Sequence, residues 1–245
     1  MPVLARRRSY AEAVEGRRRL GRRIAFFLLF FVSFEMVTSL FLAAYSTESS
    51  GMAPTILPGE LLLATPLAYG PKTVFGKMSW RSGPQRGDVV VAEPPYAEEP
   101  GFLGTIVDSF VRFVTFQRLS LNRGSDPGAS GPAMLRVIGL PGDTVLMEDF
   151  VYKVKPAGAD HFLTEFEFSD RPYDISRADL PEGWRVELPA SGRMEMRYLG
   201  EDEYFVDGDS RGAVAGSRLW GTISKDRLYG KILLRYWPFK RFGAP

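Results

Sequence analysis

Glu48-Ser49-Ser50-Gly51-Met52-Ala53-Pro54-Thr55-Ile56-Leu57-Pro58-Gly59-Glu60 is followed at once by the apolar run Leu61-Leu62-Leu63. A longer apolar run ends a few residues before it. Small residues, Pro and Gly disfavour helix, so this stretch is predicted to be a short exposed turn leading into a strand. A turn of that kind is a good place to present a hydroxyl, and Ser49 and Ser50 are the hydroxyls at its start.

Upstream, Ile24 to Tyr45 holds Phe26, Phe27, Leu28, Leu29, Phe30, Phe31 and Val32 almost without interruption. A helix of roughly 20 such residues spans a bilayer's hydrocarbon core of about 30 Å. Residues 1–23 carry eight arginines against Glu12 and Glu15, whereas the remaining 222 residues hold 23 basic and 27 acidic groups. The basic charge is therefore a flank, which excludes nucleic acid as the partner and places the N-terminus in the cytoplasm. The expected organisation is a basic cytoplasmic segment (1–23), a single transmembrane helix (24–45) and an extracytoplasmic domain (46–245) at the cytoplasmic membrane. A cleaved leader ending near Ala44-Tyr45-Ser46 is the other reading of the apolar run. Glu35, near the middle of that run, is costly in lipid and points to a transmembrane partner. The chain has no cysteine, which removes disulfides, thiolate metal sites and a thiol nucleophile.

Downstream, Arg86-Gly87-Asp88 opens the β-branched strand Val89-Val90-Val91-Ala92. Residues 102–131 form an insertion whose first part spaces Ile106, Val107, Phe110, Val111, Phe113, Val114 and Phe116 as a helix would. That helix lies on the membrane, with Arg112 and Arg118 at headgroup level, or packs on the domain; both readings stand. Leu135-Arg136-Val137-Ile138-Gly139-Leu140-Pro141-Gly142-Asp143 reads as a strand ending in a tight turn. Residues 149–203 form a variable region in which strand-like pieces such as Val151–Val154 alternate with polar loops; its His161 is the only histidine and reads as a solvated loop residue. Gly208-Asp209-Ser210-Arg211 and Ser217-Arg218-Leu219-Trp220-Gly221 bracket a third distinctive stretch, and Arg235-Tyr236-Trp237-Pro238 lies near the end.

In this order these stretches resemble the sequence boxes of type I signal peptidases, the membrane-bound serine/lysine proteases of peptidase family S26. The family's first box reads Ser-x-Ser-Met-x-Pro-Thr-Leu-x-x-Gly-Asp, and its second serine is the nucleophile. Gly51 stands at that position, before Met52. The second box reads Lys-Arg-x-x-Gly-Leu-Pro-Gly-Asp, and its lysine is the general base. Leu135 occupies the lysine position, while Arg136, Gly139, Pro141, Gly142 and Asp143 match. In the third box Gly208, Asp209, Arg211, Arg218 and Trp220 match. Val214 replaces the serine that orients the lysine, and Gly216 replaces the aspartate that pairs with the arginine matched by Arg218.

The resemblance implies a mainly β, antiparallel domain with a groove that takes an extended polypeptide as an added strand, Met52 and Pro54 among the groove residues. It implies no metal and no cofactor. A serine hydroxyl is a weak nucleophile until a base removes its proton, and the family's base is a lysine whose ammonium is disfavoured by burial. Gly51, Leu135 and Val214 together remove nucleophile, base and orienting hydroxyl, so no catalytic set is intact. The expectation is a catalytically degenerate homologue, a binder or assembly factor for exported or membrane-proximal polypeptides. The alternative is an active signal peptidase using Ser50 one position early, with a new base among Lys72, Lys77, Lys153 or Lys155. Ser49 matches the family hydroxyl that helps bind the oxyanion. Expected partners are such polypeptides and membrane lipid.

Overall fold

The computed structural model describes residues 10–70, 72–73, 76–77, 83–96, 104, 107, 110–111, 113, 132–169, 171–177, 191–212 and 216–245, without the side chains of 10–13, 35, 36, 38–40, 72–73 and 76–77. Helix α1 (Tyr10–Leu40) comes first. Among the described residues no helix is long and apolar enough to cross a membrane. Glu35 is one of the residues whose side chain lies outside the description.

The chain leaves α1 at Leu40 rather than at Tyr45. Residues 43–45, expected to be helical, form with Ser46 strand β1 (Ala43–Ser46), which pairs antiparallel with β2 (Leu61–Thr65) in the register Ala43↔Ala64 to Ser46↔Leu61. Pairing with a distant strand satisfies the backbone donors and acceptors here, and this overrides the continuous apolar pattern.

Beyond β2 lie the small hairpin β3 (Lys72–Thr73) and β4 (Gly76–Lys77), and then β5 (Val89–Ala92) and β6 (Ala133–Gly139). β7 (Thr144–Glu148), β8 (Val151–Lys155), β9 (Leu163–Thr164) and β10 (Met194–Tyr198) follow, then β11 (Phe205–Asp207), the one-turn helix α2 (Ser217–Trp220) and β12 (Leu228–Trp237). The main sheet runs β1-β2-β12-β5-β6-β11 and the second β10-β7-β8-β9. Every strand pair among the described residues is antiparallel, as expected from the sequence. The second sheet starts at Thr144, a few residues before the variable region.

Strand β5 shows why the main sheet holds. All four of its residues are buried, and alternate side chains feed apolar layers on opposite faces. Val90 and Ala92 join Leu135, Val137, Tyr69, Tyr204, Val206, Ile223 and Leu228; Val89 and Val91 join Met52, Ile56, Leu62, Ala64 and Ile232. Burying a valine side chain contributes about 1.5–3 kcal/mol. The third layer, Ile138, Val145, Met147, Tyr152, Val154, Leu199 and Phe205, joins the two sheets. Gly139 sits at that junction, where a Cβ would lie 2.7 Å from both Leu199 Cδ1 and Val145 Cγ2.

The insertion is helical at Gly104, Val107, Phe110, Val111 and Phe113. The Phe113 ring lies against α1, with centroids 5.7, 5.8, 5.0 and 5.1 Å from those of Phe27, Phe30, Phe31 and Phe34. The rest of the expected insertion, including Ile106, Arg112, Val114, Phe116 and Arg118, is outside the described residues.

Candidate functional site

The turn at 51–60 is held by main-chain bonds and by two arginines from the end of the chain. Ala53 N–H donates to Ser50 C=O at 3.0 Å and Ile56 N–H to Met52 C=O at 2.8 Å. The Glu60 carboxylate, 2% exposed, pairs with Arg235 at 3.2 Å and Arg241 at 2.7 Å, and accepts the Leu57 N–H at 3.1 Å. Arg235 and Arg241 also donate to the Thr55 carbonyl, at 2.8 and 3.1 Å, and Arg241 to that of Pro54 at 3.1 Å. The sequence predicted the turn but not this clamp, because its partners are more than 170 residues apart.

Met52, expected to line a groove, is 3% exposed and packed in the second apolar layer with Ile56 and Val91. An apolar side chain at the start of a turn is drawn into the core that the turn covers. Pro54 remains exposed, after a cis peptide bond.

Gly51 is buried, its C=O accepts the Ser210 N–H at 3.0 Å, and its N–H donates to Ser49 Oγ at 3.1 Å. That amide is thus already satisfied by the hydroxyl expected to help bind an oxyanion. Ser50, the fallback nucleophile, is exposed. Leu135 is 1% exposed and sealed in the first apolar layer among Tyr69, Val90, Val206 and Leu228. Of the lysines considered as a new base, Lys153 pairs with Glu148, and the side chains of Lys72 and Lys77 are outside the described residues. Val214 is outside them too.

The matching residues build a buried polar chain. Arg136 donates from Nε to Asp209 Oδ1 at 2.8 Å and from Nη2 to Asp209 Oδ2 at 2.6 Å, and Thr55 Oγ1 donates to the same carboxylate at 2.5 Å. The Arg136 guanidinium stacks 3.7 Å over the ring of Tyr173, whose hydroxyl donates to Glu165 Oε2 at 2.6 Å. Glu165 pairs with the fully buried Arg211, which also donates to the Phe150 carbonyl at 3.1 Å. Asp143, in the Pro141-Gly142 turn, takes two bonds from Arg86 at 2.9 and 2.7 Å.

Sequence reasoning missed Thr55, Glu165, Tyr173 and Asp207 as members of this network. Glu165 and Tyr173 lie in the variable region, and no local spacing marks them.

Arg218 has found another carboxylate. Its Nε lies 3.8 Å from Asp207 Oδ2, and its Nη2 donates to the Arg211 carbonyl at 2.6 Å. Asp207 and Gly216 face each other across an antiparallel bridge, and a Cβ at Gly216 (φ +152°) would lie 2.0 Å from Asp207 Oδ1. Asp207 thus fills the space that a side chain at position 216 would enter. Burial raises its carboxyl pKa above the usual aspartate value, with Arg211 and Arg218 opposing, and Tyr152 donates its hydroxyl to it. Burial, with Asp207 adding to it, pushes the Tyr152 hydroxyl well above the usual tyrosine value.

Trp220 packs on the first layer beside Tyr96, ring centroids 6.0 Å apart. Among the described residues no group of three or more His, Cys, Asp or Glu side chains could hold a metal ion.

The chain is 24% identical over 219 residues to signal peptidase IB of Staphylococcus aureus strain Mu50, a match covering 89% of this chain and 87% of that protein. It is 27% identical over 227 residues to signal peptidase I of Haemophilus influenzae, covering 80% of this chain and 63% of that one. A crystal structure of a signal peptidase I from Enterococcus faecalis V583 aligns over 61% of this chain and 97% of its own, at 18% identity and a TM-score of 0.33. The model of the family described as signal peptidase, peptidase S26, matches residues 18–237, and by that match the chain belongs to this family.

Proposed function

We propose that this chain is a catalytically silent signal peptidase homologue that binds exported, signal-peptide-bearing polypeptides without cutting them, acting as a binder or assembly factor. It is anchored in the cytoplasmic membrane by α1, with its basic end inside. The observation that carries the reading is the sealed environment of Leu135. An apolar side chain, 1% exposed, fills the general-base position, while Gly51 offers no hydroxyl. A base pocket emptied of its lysine and filled with apolar atoms avoids the cost of about 1–3 kcal/mol for each unsatisfied buried polar group. Losing members of one proton-transfer unit leaves only residual rate from binding contacts. Strand addition, by contrast, needs only backbone edges and shallow pockets, so binding survives loss of the chemistry.

The test is a cleavage assay on a preprotein with small residues at −1 and −3, run in detergent beside a binding measurement. The parent chain is expected to bind without product, and the Gly51→Ser/Leu135→Lys variant to regain cleavage. Parent cleavage that disappears in Ser50→Ala would establish the shifted-serine enzyme instead.

A further inference from the structure

Phe113 touches α1 along one stripe. Phe27, Phe30, Phe31 and Phe34 follow the i, i+3, i+4, i+7 spacing of a single helix face, and the Phe110 ring lies 6.2 Å from that of Phe31. At about 1.5 Å per residue, the centre of this stripe lies about 11 Å from Arg23 and about 14 Å from Leu40, where α1 ends. With α1 as the anchor, those distances put the stripe near the middle of a hydrocarbon core about 30 Å thick. A helix lying in the interface reaches only about 5–10 Å below it. The insertion lies between β5 and β6 in the chain, and its Phe113 meets α1 from about 9 Å (Phe34) to about 20 Å (Phe27) below the end of that helix, centred beyond the interfacial depth.

The surfaces beside the stripe are apolar. Val107 is 51% exposed and Phe110 49%, and on α1 Phe26, Leu29 and Val32 are 72%, 67% and 59% exposed. Apolar side chains this exposed on a helix call for an apolar surround, which a bilayer supplies. Arg17, Arg18, Arg19, Arg22 and Arg23 form the exposed charged collar immediately before this band.

We propose that the insertion carrying Gly104, Val107, Phe110, Val111 and Phe113 is a re-entrant membrane element, packed through Phe113 on the middle of α1 and facing lipid acyl chains through Val107 and Phe110. Helical backbone satisfies its own hydrogen bonds, which makes that depth tolerable. The element thus answers the choice between a membrane-surface helix and a helix packed on the β domain with a third arrangement. The inference rests on the anchor reading of α1, and the experiment separates the two.

Because the chain has no cysteine, single-cysteine variants report one site each. Val107→Cys and Phe110→Cys are spin-labelled in the full chain, reconstituted in phosphatidylcholine/phosphatidylglycerol vesicles, and probed with oxygen and a water-soluble nickel chelate. Leu29→Cys serves as the anchor reference and Tyr198→Cys, 69% exposed on β10, as the aqueous one. Labels at 107 and 110 are expected to match Leu29, oxygen-accessible and shielded from nickel. Nickel accessibility like that of Tyr198, with Leu29 still lipid-like, overturns the re-entrant element and leaves the anchor intact. Nickel accessibility at Leu29 as well overturns both. Shielding of 107 and 110 from both reagents shows a protein neighbour in place of lipid and also overturns the proposal.

Discussion

Arg136 and Asp209, 73 residues apart, form a two-pronged ion pair of 2.8 and 2.6 Å whose side chains are 4% and 0% exposed. The pair ties β6 to the loop that donates Ser210 N–H to Gly51 C=O, and Thr55 shares the carboxylate. Removing one partner leaves the other charged and buried, which costs about 3–5 kcal/mol. Asp209→Ala is therefore expected to lower unfolding free energy by that amount in a urea titration. Replacing both residues by apolar ones of similar volume should recover much of the loss. A double variant as unstable as the single one would refute this.

Gly51 and Leu135, on which the proposed function rests, should respond differently to substitution. A Cβ at Gly51 meets only Ser49 Oγ, at 3.3 Å, and Gly51 has no positive φ that would strain a larger residue. Gly51→Ser asks only that Ser49 Oγ give by a few tenths of an ångström, so it is expected to cost no more than about 1 kcal/mol. Leu135→Lys places an amine among Tyr69, Val90, Val206 and Leu228. Desolvation lowers a fully buried lysine's pKa by about 3–5 units, equivalent to about 4–7 kcal/mol. A lowered folded pKa means the unfolded chain binds the extra proton, so stability falls as pH drops below the free lysine range near 10.4. Denaturation of this variant between pH 10 and pH 6 should show that slope, absent from the parent.

Asp207 and Gly216 are expected to be coupled. Gly216→Asp puts a Cβ 2.0 Å from Asp207 Oδ1 and 2.9 Å from its Cα, at a φ of +152°. The single variant should be strongly destabilised. Asp207→Ala removes the carboxylate but leaves the backbone clash, so the double variant should regain part of the loss and restore a carboxylate near Arg218. Additive losses on a double-mutant cycle would show that the two positions do not share this space.

Alkaline unfolding should report on the buried tyrosines. Burial, reinforced by Asp88 at Tyr69 and by Glu165 at Tyr173, holds both hydroxyls above the usual tyrosine value. With folded pKa values raised, the stabilisation is complete below about pH 10, where the unfolded tyrosines begin to ionise, and declines as pH rises further. Each such tyrosine contributes a slope of about 1.4 kcal/mol per pH unit. Tyr173→Phe should be less stable at pH 8, having lost its bond to Glu165, and should show a shallower decline between pH 10 and 11.5 in urea midpoints. An unchanged slope would contradict the assignment.

Much of the architecture was legible without coordinates, because short-range chemistry leaves marks in order. β-branched runs such as Val89–Ala92 declare strands, and Pro141-Gly142 declares a turn, with Gly142 at φ +83°. The chemistry of two positions was legible for the same reason: a glycine at 51 has no hydroxyl and a leucine at 135 no amine, whatever surrounds them. The residue types at these two positions were therefore decided by sequence alone. What long-range packing supplies was not. Only the folded chain brings Asp207 into the volume above Gly216, turns Met52 into the core, recruits Glu165 and Tyr173 to Arg211 and Arg136, ends α1 at Leu40, and lays Phe113 on the middle of that helix. Those outcomes depend on which distant segments compete for the same space and the same hydrogen bonds, and no local pattern carries that information.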